Sequence, residues 1–85
     1  MKRSKIDKIM HDMEVLQRKI QAYETVRIII NDIAKEYIGD YYILEALESI
    51  DRTIFNQLRV MYTGLEMLKR RLAEAEKNAV EKKDI

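Results

Sequence analysis

The chain contains no cysteine and no proline, and only two of its 85 residues are glycine. Without cysteine it can form neither a disulfide nor a thiolate metal site. Without proline, and with so little glycine, few positions would interrupt a helix. Tryptophan is absent and phenylalanine occurs once, so the five tyrosines supply almost all of the aromatic surface. These absences argue against the disulfide-rich secreted class and favour long helices.

The sequence also lacks a long apolar run and a strong net charge. Its longest aliphatic run is Ile28–Ile30, far below the ~20 residues that a membrane-spanning helix needs. The formal net charge is +1, whereas nucleic-acid-binding domains are usually strongly basic. We therefore expect a cytoplasmic protein of one domain, with no cofactor and no membrane partner.

Two long stretches in which apolar residues recur every three or four positions make up most of the chain. The first stripe passes through Ile6, Ile9, Met13, Leu16, Ile20, Tyr23, Val26, Ile30, Ile33 and Tyr37. Its mean step is close to the 3.5-residue repeat of a coiled coil. The one irregularity is a pair of successive three-residue steps that ends at Val26. Ser4 and Asp7 resemble a capping box, so we predict a helix over 5–38.

The second stretch continues the same spacing. Its stripe passes through Ile43, Leu47, Ile50, Ile54, Leu58, Met61, Leu65, Leu68, Leu72, Ala75 and Ala79. Two successive steps of four around Ile54 are its one irregularity. We predict a helix over 41–80 and a frayed tail over 81–85. A kink at 63–64 stays open, because Gly64 weakens a helix by roughly 1 kcal/mol relative to alanine.

Gly39 and Asp40 separate the two stretches. Glycine supplies the left-handed conformation that ends many helices, and aspartate is a preferred N-cap. A β-strand over Thr25–Asp32 is the competing interpretation, because this segment is rich in β-branched residues. The helical stripe passes through it, however, and no second strand-like segment offers a partner. The predicted fold class is all-α: one long antiparallel helical hairpin over 1–85, turning at 39–40.

The apolar residues exceed what one contact between two helices can cover. Those off the main stripes that we predict as an oligomer interface are Ile28, Ile29, Leu44, Phe55 and Tyr62. An extended apolar patch usually marks an interface, so we expect a homodimer or higher oligomer, as a four-helix bundle or coiled-coil assembly.

Charge is distributed unevenly along the chain. The net charge is −5 over 29–51, +3 over 1–20 and +4 over 52–72. If two hairpins pack antiparallel, the acidic end of one meets the basic end of the other.

Catalysis has little support in the sequence. The lone histidine, His11, has no cysteine or second histidine with which to build a metal cluster or a triad. Carboxylate pairs such as Glu45 with Glu48 lack the Glu-x-x-His arrangement of di-metal bundles. No glycine-rich phosphate loop is present. We therefore predict that the protein is not an enzyme and has no metal site.

The turn carries the best candidate for partner binding. We predict a docking surface formed by Tyr37, Asp40, Tyr41, Tyr42, Glu45 and Glu48. Tyrosines beside carboxylates can imitate a nucleic-acid surface or fit a basic groove on a protein. The alternative for Tyr41 and Tyr42 is that a second copy of the chain covers them.

Two further alternatives stay open. In a nucleotide- or RNA-binding bundle, Arg27 and Arg52 lie level across the hairpin and hold an anion, with bases stacking on the tyrosines. Lys69, Arg70 and Arg71 at the basic end add phosphate contacts. The same arginines can instead pair with Glu24, Glu48 or Asp51. The last alternative is a purely structural oligomerisation module.

Size and composition give two broad resemblances. In its short length, helicity and lack of cysteine, the chain resembles accessory proteins of phages and mobile elements. That resemblance implies a small regulator or inhibitor that binds a host protein. In layout it is similar to the RNA-binding helical-hairpin regulators of plasmid copy number, which implies the RNA alternative.

Overall fold

The computed structural model of the chain describes the backbone of residues 2–83 and the side chains of residues 5–80. Two helices make up most of this region, α1 (Lys2–Glu36) and α2 (Tyr41–Lys83). They run antiparallel, so that Leu16 lies beside Gly64 and Arg27 beside Asp51. The Cα atoms fill a rod of 69 × 14 × 14 Å. The predicted all-α hairpin is confirmed, and within the described region neither helix is long and apolar enough to cross a membrane.

The helix ends differ from the predicted ones. Helix α1 begins at Lys2, before the predicted cap position at Ser4, because the good helix formers Lys2 and Arg3 extend the helix further. The same helix ends at Glu36 rather than at residue 38. Helix α2 passes through 63–64 without a break and continues to Lys83, into the predicted frayed tail. Residues 84 and 85 of that tail lie outside the described residues.

Hydrogen bonds hold the turn between the helices. Gly39 has a φ of 115°, a value that side chains with a Cβ rarely adopt. The Asp40 N–H donates to the Tyr37 carbonyl at 3.0 Å. The carboxylate of Asp40 then accepts from the Ile43 N–H at 3.2 Å, and its carbonyl accepts from the Leu44 N–H at 3.0 Å. Asp40 is confirmed as the N-cap of α2, and Gly39 has the predicted positive φ in the turn, although α1 already ends at Glu36.

The contact between the helices, which we call the seam, is more regular than the apolar residues predict. Its α1 side, buried or half-buried, is Ile6, Ile9, Met13, Leu16, Ile20, Tyr23, Arg27, Ile30 and Ala34. These steps alternate strictly between three and four, as in a coiled coil. Val26, Ile33 and Tyr37 belong to the predicted stripe but are exposed. The predicted irregularity at Val26 is wrong, because the charged Arg27 occupies the seam there.

The α2 side of the seam shows the same regularity. It consists of Leu44, Leu47, Asp51, Ile54, Leu58, Met61, Leu65, Leu68, Leu72, Ala75 and Ala79. Ile50 is 50% exposed, and the half-buried Asp51 takes its predicted place. Both predicted irregularities therefore have one cause, which is that Arg27 and Asp51 oppose each other across the seam.

The core of the hairpin is thin. Among the described side chains the buried hydrophobic ones are Ile9, Ile20, Ile30, Leu58 and Leu65, and none is completely enclosed. Ile20, Leu58 and Leu65 form a cluster near the middle of the rod, against which neighbouring seam residues pack. A single layer of side chains thus holds the helices together, and the outer surfaces of both stay open.

Candidate partner-binding surface

The tip of the rod, which we define as residues 37–48, exposes the predicted docking residues. Tyr41 is 82% exposed and Tyr42 is 87% exposed. Both lie in the first turn of α2, before the first seam residue Leu44, so no part of α1 covers them. Tyr37 is 42% exposed, and Ile38, which sequence reasoning did not include in the site, is 80% exposed. The tip therefore presents aromatic and aliphatic surface directly to solvent.

Carboxylates surround this apolar surface. Asp40, Glu45 and Glu48 are exposed. Asp40 also caps α2, and Glu48 accepts a hydrogen bond from Arg52 at 3.2 Å. Tyrosine packs with its ring and hydrogen-bonds with its hydroxyl, while a surplus of negative charge attracts basic partners. The tip can therefore pack against, hydrogen-bond to and electrostatically attract a positively charged surface.

Below the tip, an ion pair crosses the seam. The Arg27 guanidinium donates to both carboxylate oxygens of Asp51, at 2.9 and 3.3 Å. It also lies over the Phe55 ring, 4.9 Å from the ring centre. The hydrogen bond to Asp51 raises the pKa of Arg27 above its ordinary value. The signal that would have located it is spacing, because Arg27 follows the buried Ile20 by seven residues.

A second polar contact joins the helices beside this ion pair. The Tyr62 hydroxyl donates to the carboxylate of Glu24, and this hydrogen bond raises the pKa of Tyr62. Tyr62 is 47% exposed. This residue, predicted to lie in an oligomer interface, thus makes a hydrogen bond within its own chain.

The two candidate anion-binding arginines do not converge. Arg52 lies on the surface and pairs with Glu48, one turn away on the same helix. Arg27 is engaged with Asp51 across the seam. Each arginine has its own carboxylate partner, which favours the pairing alternative from the sequence.

At the open end of the rod, cations and carboxylates are mixed. A groove of about 460 Å³ is lined by Lys5, Lys8, Asp12, Arg71 and Glu74, among others. Lys69 pairs with Glu66 on its own helix at 3.4 Å, and Arg70 is exposed. His11 contributes to a separate surface depression with Met10 and Gln17. Across residues 5–80, no three His, Cys, Asp or Glu side chains are grouped to hold a metal ion.

The predicted interface residues are not all equivalent. Leu44 is half-buried in the seam. Ile28, Ile29, Phe55 and Tyr62 are exposed, by 63, 50, 44 and 47%. The hairpin therefore leaves them available to a second surface. Phe55 and Tyr62 are partly engaged, because Arg27 lies over the Phe55 ring and Tyr62 donates a hydrogen bond to Glu24.

The comparisons with known proteins add no relative. No protein-family model, no curated protein and no solved structure matches the chain. The features that bear on function are therefore the exposed tip, the ion pair beneath it and the open surfaces of the two helices.

Proposed function

We propose that this protein is a non-enzymatic interaction protein that binds a macromolecular partner through its tip, as a small cytoplasmic regulator or inhibitor. The observation that carries the proposal is the exposure of Tyr41 and Tyr42, above 80% for both, at a hydrogen-bonded turn. Tyrosine is strongly enriched among the residues that dominate binding energy at protein interfaces. Two adjacent tyrosine rings in the capped first turn of α2 offer such an anchor, because they lose little conformational entropy on binding.

The charge of the tip indicates the chemistry of the partner. Residues 29–51, which include the tip, carry six acids and one lysine. This surplus would steer the tip towards a positively charged surface and disfavour an acidic one. We therefore propose a protein with a basic groove, of the kind that otherwise holds a nucleic-acid backbone.

We further propose that the protein acts as a homodimer, in a four-helix bundle. A chain of this size buries only about 60% of the surface that its unfolded form exposes, and its seam is a single layer deep. Many large apolar side chains stay in water on the isolated hairpin, which is typical of an interface. In sedimentation at micromolar concentration we expect the dimer mass, whereas a 10.2 kDa species would contradict self-association.

Exchange of Tyr41 and Tyr42 for alanine tests the tip. Because both rings lie in solvent, helix content and the dimer should change little. Affinity for the partner should fall at least about thirtyfold, the loss expected for an interface hot spot of about 2 kcal/mol. The measurement is affinity capture from the native host with mass spectrometry, followed by calorimetric titration of the captured protein.

A matched control is the pair Met10→Ala and Gln17→Ala, two exposed residues far from the tip. The proposal requires a partner that the control retains, that the tip variant loses, and that binds through a basic surface. A partner that the tip variant retains would contradict it. So would loss of helicity in the tip variant, because the tyrosines would then belong to the folded core.

The nucleotide or RNA alternative uses Arg27, Arg52 and the basic end. It ranks lower because Asp51 and Glu48 already accept hydrogen bonds from the two arginines. Direct titration with nucleotides and RNA separates it from the tip proposal, since phosphate recognition would show saturable, steeply salt-dependent binding. A purely structural oligomerisation module would retain no partner in the capture experiment.

A further inference from the structure

Each helix carries a second stripe beside its seam. In α1 it consists of Val15, Lys19, Ala22, Val26, Ile29, Ile33 and Glu36. In α2 it consists of Ile43, Ala46, Ile50, Thr53, Gln57, Val60, Gly64 and Met67. Both stripes alternate steps of three and four, as the seams do, so each keeps a constant position relative to its seam. Between 37 and 68% of the surface of each Val, Ile and Met in these stripes is exposed, apart from the half-buried Ile43.

The groove at the open end indicates that both stripes lie on one side of the hairpin. Lys5 of α1 and Arg71 of α2 line this groove together. Val26 follows Lys5 by three steps of seven, and Ile50 precedes Arg71 by three steps of seven. Because the seams repeat every seven residues, positions separated by sevens share an orientation towards the other helix. Val26 and Ile50 therefore flank the continuation of the same groove, and we call the two stripes together the isoleucine face.

The opposite side of the hairpin, the polar face, has a different composition. There Tyr62 bonds to Glu24, and Arg27 covers Phe55. Its polar residues are Glu14, Gln17, Gln21, Glu24, Asn31, Lys35, Glu45, Glu48, Arg52, Arg59, Glu66 and Lys69. Over the same length the isoleucine face has only two charged residues, Lys19 and Glu36. The polar face also carries Ile28, Phe55 and Tyr62, but its many charged residues favour contact with water. The isoleucine face, with few charges, favours contact with an apolar surface.

We propose that the isoleucine face is the dimer interface and that two hairpins pack on it antiparallel. This inference rests on the self-association proposed above and assigns its surface and orientation. The face is about 30 Å long at 1.5 Å per residue and two helices wide, each about 10 Å across. That gives roughly 600 Å² per copy, at the lower end of what a specific dimer needs. Two small residues, Ala22 and Ala46, allow the helices to approach closely.

Charge complementarity determines the orientation. Parallel packing would bring together two tips that each lie in a segment of charge −5. Antiparallel packing places each tip beside the basic segments 1–20 and 52–72 of the other copy. A second copy of this chain, inverted, is therefore the occupant that both the apolar composition and the charge pattern fit.

The α1 stripe pairs with its own inverted copy in one register. A two-fold axis between Val26 and Ile29 sets Val26 against Ile29 of the other copy and Ala22 against Ile33 of the other copy. In the same register Lys19 faces Glu36 of the other copy, twice by symmetry. The two charged residues of the stripe thus neutralise each other, and the remaining α1 pairs are apolar. Val15 lies level with Asp40, beyond the end of α1 in the other copy.

This dimer leaves Tyr41 of the tip available to a partner. Tyr41 precedes Phe55 by two steps of seven and therefore lies towards the polar face. The interface that covers Ile29 and Ile50 does not cover Tyr41. The dimer can then present one uncovered Tyr41 from each copy, about 35 Å apart along the bundle at 1.5 Å per residue.

Cysteine cross-linking tests the register, because the natural chain has no cysteine. The double variant Lys19→Cys/Glu36→Cys should give a covalent dimer on oxidation. A bond within one chain is excluded, because the two positions lie about 25 Å apart along α1, whereas disulfide Cα atoms lie within about 7 Å. The matched control Gln21→Cys/Lys35→Cys, with similar spacing on the polar face, should stay uncross-linked.

Two neighbouring residues provide a second test. Ile29 lies on the isoleucine face and Ile28 lies towards the polar face, and both are at least half exposed. Ile29→Asp should weaken the dimer at least tenfold in sedimentation, whereas Ile28→Asp should leave it unchanged. A wild-type monomer would overturn self-association itself. A wild-type dimer without the 19–36 cross-link, or with a cross-linked control, would overturn only the assigned face and orientation.

Discussion

At the residue scale, Arg27 and Asp51 set the register in which α1 pairs with α2. Each occupies a seam position that apolar residues hold elsewhere, and the guanidinium binds both carboxylate oxygens. A shift of one helix by a turn would leave both charges against apolar side chains, at a considerable desolvation cost. A polar residue at a seam position is a known means of fixing register in coiled coils. The pair thus specifies one alignment of α1 with α2.

Leucine substitutions test this role. Arg27→Leu and Asp51→Leu should each lower the free energy of unfolding, because each leaves a half-buried charge without its partner. The double variant should recover wild-type stability or exceed it, because two leucines complete the seam. Urea denaturation at one protein concentration, followed by circular dichroism, measures all four proteins. A double variant less stable than both single variants would show that the pair stabilises the fold beyond charge compensation.

At the scale of elements, the two glycines have opposite roles. Gly39 ends α1 with a φ of 115°, and a Cβ there would meet no atom within 4 Å, so its constraint is the backbone alone. Gly64 lies inside α2, where a Cβ would be 3.5 Å from Leu16 Cδ2, an ordinary contact. The turn requires its glycine, and the helix does not.

Alanine at each glycine should therefore have effects of opposite sign. Gly39→Ala should destabilise the protein by about 1 kcal/mol or more, because alanine is strained at a positive φ. Gly64→Ala should stabilise it by up to about 1 kcal/mol, from helix propensity. Thermal denaturation at a fixed protein concentration measures both. Destabilisation by Gly64→Ala would indicate that another surface packs closely against Gly64, a contact that the single hairpin does not contain.

The elements were predictable to different degrees. Helix type and the turn followed from local chemistry, because Gly39 and Asp40 act on their own backbone. The seam residues were predicted incorrectly at two positions, because a pattern of apolar residues selects Val26 and Ile50. The residues that occupy the seam there are the charged Arg27 and Asp51. Extending the seven-residue repeat from Ile20 would have found Arg27. The contact between Tyr62 and Glu24 could not be predicted, because it depends on how far the antiparallel helices are offset.

At the scale of the whole molecule, one hairpin has too little core for its apolar surface. The rod is a single pair of helices wide along its 69 Å length, and its buried hydrophobic cluster centres on Leu58. The isoleucine face and the segregation of charge into an acidic tip and a basic open end both extend over many turns. A pattern that extends over many turns is best explained by a second long surface, which the proposed second copy would supply.

Charge inversion tests that explanation. Lys19→Glu should weaken the proposed dimer roughly tenfold, because it replaces two attractive pairs with two repulsive ones, each pair worth about 0.2–1 kcal/mol. Glu36→Lys should do the same. Lys19→Glu with Glu36→Lys in one chain should restore the affinity, because each inverted charge again faces its opposite. Sedimentation equilibrium at low salt measures the series, and added salt should reduce the differences. In a parallel dimer residue 19 would lie level with α2 of the other copy, so the double variant would be no better than the single ones.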